Sequence, residues 1–68
     1  MSLYDYRASH DITLMDYPFY ALIMAAMRQA DTRNADALSG SFPDIWQELR
    51  QRYNAPGGVL GTDPGGEK

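Results

Sequence analysis

The sequence predicts an all-α fold: three or four short helices in a small bundle that self-associates, followed by a disordered Gly/Pro-rich C-terminal tail. Three observations carry that expectation. Apolar residues recur at helical spacing along most of the chain, and no stretch alternates like a strand. Capping residues and prolines stand where the helices should begin. The chain has only 68 residues and no cysteine, so neither a disulfide nor a thiolate-held metal can supplement a small core. At this length burial and ordering entropy nearly cancel, which leaves tight helix packing or self-association as the source of stability.

The first helix opens with Ser2 and Asp5 at capping-box spacing, and Tyr4, Ala8, Ile12 and Met15 share one face. Asp16 is the next candidate N-cap, with Pro18 in the first turn that follows, where its missing N–H costs nothing. Phe19 to Ala30 then reads as a second helix rich in Ala, Leu and Met, all good helix formers. Its main stripe is Phe19, Ile23, Ala26, Met27 and Ala30, flanked by Leu22 on one side and by Tyr20 and Met24 on the other. A helix apolar over more than half its circumference must be buried on several sides. A chain this small covers it once, so a second subunit is expected to cover the rest through Tyr20, Met24, Met27 and Trp46.

Thr32 offers an N-cap for a short third helix, Ala35 to Ser39, which Gly40 should stop. Ser41 then caps a fourth helix, with Pro43 in its first turn and Asp44 completing a capping box. Phe42, Ile45, Trp46, Leu49 and Tyr53 form its apolar stripe, and Glu48 and Arg52 pair in the favourable i,i+4 order. Asn54 suits a left-handed stop and Pro56 prevents continuation. Residues 1–58 thus form the helical domain and 59–68 a flexible tail, within which Val59 and Leu60 are apolar enough to dock on the helices.

Charge and composition exclude several functions. Nine acids against six bases give a net charge of −3, whereas a free-standing nucleic-acid binder needs a basic excess. The longest uncharged run, Tyr17 to Met27, is eleven residues and too short to span a bilayer. The start of the chain has no basic, long apolar signal, so the expected setting is the cytoplasm, with no membrane. Ser9, His10 and Asp11 point about 100° apart on a helix and form no triad by adjacency. An exposed His10 is the favoured reading, and no enzyme activity is expected. With one histidine and no cysteine, no metal and no cofactor are expected; Asp31 to Asp36 lacks the central glycine of a calcium loop.

Two surfaces remain. Eight aromatic residues, five of them tyrosine, suit an interface or the rim of a pocket. The second surface is Arg50, Arg52, Tyr53 and Asn54 followed by Pro56-Gly57-Gly58, where glycine N–H groups can form an anion-binding nest beside the arginines. Arg28 and Arg33 would join them if the second and fourth helices were antiparallel. The candidate ligand-binding set is therefore Arg28, Arg33, Arg50, Arg52, Tyr53, Asn54, Gly57 and Gly58.

Met1 to Tyr6, Tyr17 to Asp31, Phe42-Pro43, Glu48-Leu49 and Arg52 to Gly58 together resemble a family of small proteins of tailed phages and prophages with no established activity. The resemblance implies a phage accessory protein acting inside a bacterium and assigns no residue a role. Three functions follow as expectations. The first is counter-defence by sequestering a small anionic ligand such as a nucleotide immune signal, within a homo-oligomer. The second is an inhibitor or adaptor that docks an aromatic helical face onto a host or phage protein. A helix-turn-helix regulator using Gln47, Arg50, Gln51 and Arg52 comes third, disfavoured by the acidic balance.

Overall fold

The computed structural model describes residues 1–64, and among them the fold is four α-helices and one 3-10 turn with no strand. They are α1 (Leu3–Leu14), α2 (Phe19–Gln29), α3 (Thr32–Ser41), α4 (Pro43–Tyr53) and the turn η1 (Pro56–Gly58). The all-α expectation holds, with four helices. The tail expectation for residues 65–68 lies outside the described residues.

Each helix boundary has a local cause. The Ser2 hydroxyl accepts the Asp5 N–H at 3.1 Å and donates to the Asp5 carboxylate at 3.1 Å, so the expected N-cap of α1 forms. Asp16 is not the N-cap of α2. It adopts φ 55°, the left-handed conformation that ends α1, and its N–H bonds to the Thr13 carbonyl at 3.1 Å. Pro18 occupies the cap position instead, and its carbonyl accepts the first bond of α2 from Leu22 N–H.

The third helix departs furthest from expectation. Its N-cap is Asp31 rather than Thr32, with Asp31 Oδ1 accepting Asn34 N–H at 2.9 Å. It is also ten residues long and runs through Gly40, because Phe42 N–H still completes a helical bond to Leu38 at 2.8 Å. The break is set by Pro43, whose ring excludes the α conformation from the residue before it. Phe42 accordingly sits at φ −130°, ψ 63°, and neither Ser41 nor any side chain caps α4. Asn54 ends α4 in a right-handed conformation; the left-handed residues that follow it are Gly57 and Gly58.

Packing joins α2, α3, α4 and η1 and leaves α1 without a neighbour. Phe19 meets Phe42 edge-on at 6.3 Å, so the N-terminal ends of α2 and α4 lie together. Their C-terminal ends lie together too, since Arg28 lines the same cleft as Arg50 and Tyr53. The two helices therefore run in the same direction, with α3 as the return. Among the described residues only Met27 and Leu49 are buried, at 4% and 8% exposure. Met27, expected at a subunit interface, is instead buried within the single chain. A radius of gyration of 14.3 Å, against roughly 11 Å for a compact chain of this length, reflects the projecting α1.

Candidate functional site

The last turn of α4 carries arginines on two faces, at positions 50 and 52, about 200° apart around the helix. The two faces differ in what they meet. Arg50 faces the α2 side, where Arg28, Leu49, Tyr53 and Asn54 complete a cleft of about 360 Å³. Leu49 forms its buried floor, while Tyr53 is 75% exposed and offers an open aromatic face. Asn54 donates its side-chain N–H to the Arg50 carbonyl at 2.9 Å, which fixes the amide and leaves its oxygen as an acceptor. Among the described residues neither Arg28 nor Arg50 forms an ion pair. Arg50 and Asn54 also border a neighbouring concavity of about 540 Å³ with Ser39, Trp46 and Gln47.

Arg28 lines the same cleft as Arg50 because α2 and α4 are parallel, not antiparallel as the sequence reading requires. Parallel packing puts two helix C-termini, each rich in carbonyl oxygen, side by side, and the arginines complement that negative potential. Arg33 lies in the first turn of α3 and does not line the cleft.

Arg52 has another task. Its Nε donates to Glu48 at 2.9 Å, Nη1 donates to the Gly58 carbonyl at 2.8 Å and to Asp63 at 2.7 Å, and Nη2 donates to the second Asp63 oxygen at 2.8 Å. Four of its five N–H groups are thus engaged within the chain. The hydrogen bonds from Arg52, then the one from Leu60 N–H, lower the Asp63 carboxyl to about 2. Bonding to Asp63 and then to Glu48 raises Arg52 above its usual value. The place of an external anion at Arg52 is taken by the chain's own carboxylate.

The glycine turn is also engaged from within the chain. Gly57 and Gly58 do take positive φ, 63° and 72°, but the Gly58 and Val59 N–H groups close turns onto Ala55 and Pro56 at 2.9 and 3.2 Å. Gly58 presents its carbonyl to Arg52, so this loop binds a cation, not an anion. The boundary expected at residue 58 is no structural break, because Leu60 and Asp63 are half-buried and tied to α4 through Arg52. Sequence reading missed Asp63 by assigning it to the tail; its signal was an acid directly before Pro64 in a turn-rich segment.

No family model, curated protein or solved structure matches this chain. The remaining candidates are placed by geometry alone. Tyr20 is exposed and edge-on to Phe19 at 5.4 Å, whereas Met24 and Trp46 are half-buried. Ser9 turns its hydroxyl back to the Tyr6 carbonyl at 2.6 Å, and His10 and Asp11 line a separate depression on α1 with Tyr6 and Arg7. Among the described residues no three His, Cys, Asp or Glu side chains gather to hold a metal, and no helix is long and apolar enough to cross a membrane.

Proposed function

We propose that this chain is a non-catalytic phage accessory protein that works as a homo-oligomer in the bacterial cytoplasm and sequesters a small anionic ligand with an aromatic base, a nucleotide by class. One observation carries the reading: Arg28 and Arg50, without ion partners among the described residues, converge with Tyr53 and Asn54 on a single cleft. Guanidinium groups match phosphate oxygens in a planar, two-pronged geometry. The Tyr53 ring supplies a stacking face and the Asn54 oxygen an acceptor for a base edge. Helix C-termini account for the positive charge at this place, but not for the convergence of both arginines on one cleft with Tyr53 and Asn54, whereas Arg52 is engaged within the chain. The site is accordingly narrower than the sequence set, without Arg33, Arg52, Gly57 and Gly58.

The experiment is native mass spectrometry and calorimetry with mono- and cyclic dinucleotides as probes. Binding at one ligand per cleft, lost in Arg50→Ala, supports the reading; no binding of any nucleotide probe refutes it. The phage setting rests on the resemblance of the sequence and the cytoplasmic one on the absence of any spanning segment among the described residues.

A second reading has its own observation. Tyr4, Tyr6, Leu14, Met15 and Tyr17 are all more than half exposed on or beside α1, an apolar surface of the kind that docks proteins. A co-purifying polypeptide bound through α1 would favour an inhibitor or adaptor over a ligand trap.

A further inference from the structure

Helix α1 is out of balance with the rest of the fold. It is twelve residues long, packs against no other element, and none of its residues is buried. An isolated helix of that length is marginal in water, so its stability must come from a tertiary or quaternary neighbour. The stripe made by Tyr4, Ala8, Ile12 and Met15 spans about 80° of its surface, and Tyr4, Ile12 and Met15 are 78%, 47% and 62% exposed. Where α1 hands over to α2, a largely apolar groove of about 480 Å³ opens between Ile12, Tyr17, Ala21, Leu22, Ala25 and Ala26, with Gln29 as its polar member. This groove is the back of α2, the side turned away from Met27 and the α4 contact.

The area indicates what covers these surfaces. The chain exposes 5,920 Å², whereas a compact 7.6 kDa monomer exposes roughly 4,300 Å². The surplus of about 1,600 Å² per copy is about twice what each partner contributes to a standard interface and falls in the range of obligate homodimers. A ligand the size of a nucleotide cannot cover it. The exposed stripe and the groove are both largely apolar, adjoin at Ile12 and belong to the same chain, so the joined surface of one copy suits that of the next.

We infer that α1 of one copy docks by its Tyr4–Ala8–Ile12–Met15 stripe into the α1/α2 groove of a second copy of this chain. The alanines at 21, 25 and 26 let the two backbones approach closely, and Leu22 and Tyr17 close the sides. This deepens the self-association in the proposed function by naming the surfaces that form it. It also moves the interface away from the buried Met27 and the half-buried Met24 and Trp46, to the side of α2 opposite Met27.

The test is the solution mass of the full chain by light scattering or native mass spectrometry, with helicity followed in parallel. Wild type is expected at a multiple of 7.6 kDa. Tyr4→Glu on the stripe and Ala25→Glu in the groove should each reduce it to a monomer and lower helicity by about the share of α1, leaving α2–α4 folded. Both positions are exposed in the isolated chain, so neither change should unfold the bundle. Gln51→Glu, on a different surface, should keep the native mass. A monomeric wild type, or a complex with a polypeptide of another mass, overturns both this inference and the self-association. An oligomer that persists in Tyr4→Glu and in Ala25→Glu overturns the inference alone and returns the interface to Tyr20 and its neighbours.

Discussion

Arg52 and Asp63 form a two-pronged ion pair, with N···O distances of 2.7 and 2.8 Å, that fastens the segment after η1 to the last turn of α4. The same guanidinium holds Glu48 on the helix and the Gly58 carbonyl in the turn. One side chain thus organises eleven residues of chain beyond itself, and the consequences are measurable.

Acidification should undo this contact late. The carboxyl is lowered from 3.8 to about 2 by its bonds with Arg52 and Leu60, so its stabilisation is complete above 3.8 and is lost as the pH falls through about 2. The Leu60 amide resonance, which reports the bond to Asp63 at 2.9 Å, should titrate with a midpoint near 2. A midpoint at 3.8 would mean that the pair does not form in solution.

Removing the acid should free the segment without melting the helices. In Asp63→Asn the amides from Gly58 to Asp63 should exchange hydrogen at least tenfold faster, while those of α2 and α4 keep wild-type protection. Equal protection across residues 58–63 in the variant would show that apolar contacts of Leu60 hold the segment instead.

Ligand affinity should separate the two arginines of α4. Arg50→Ala and Arg28→Ala should each weaken nucleotide binding ten- to a hundredfold, the range for a hydrogen bond to a charged group. Arg52→Ala should change it less than threefold, since that side chain is engaged on the other face. Calorimetry that ranks Arg52→Ala as the most damaging would overturn the assignment of the cleft.

Stability should rest heavily on one leucine. Leu49 is one of two buried side chains among the described residues, and Leu49→Ala is expected to cost about 3 kcal/mol by lost transfer energy and the cavity left behind. On a chain of this length that is most of the margin, so urea unfolding followed by circular dichroism should show little or no folded baseline. A loss below about 1 kcal/mol would mean that the α2–α4 contact is not the core.

The turn has a backbone requirement of its own. Gly58 sits at φ 72° with its carbonyl aimed at Arg52, and a Cβ there would meet only the Arg52 carbonyl at an easy 3.8 Å. Space is therefore no obstacle, and Gly58→Ala should cost about 1–2 kcal/mol purely from the left-handed conformation. Thermal melts read this directly; a neutral substitution would show that the turn relaxes.

Helix content and the main apolar stripes were determined by the sequence alone, because both depend on residues within one or two turns of each other. Ser2 with Asp5, and Glu48 with Arg52, are of this kind and appear as expected. Where one local signal competed with another, the local reading failed: Pro43 ended α3 through its effect on Phe42, and Gly40 was simply passed. Tertiary structure decided what depends on direction and distance. Parallel α2 and α4 brought Arg28 beside Arg50, and an acid eleven positions away claimed Arg52, which the arginine-glycine pattern had offered to an anion. Sequence shows which side chains carry charge, but only the path of the backbone determines whether the opposite charge comes from a ligand or from the chain itself.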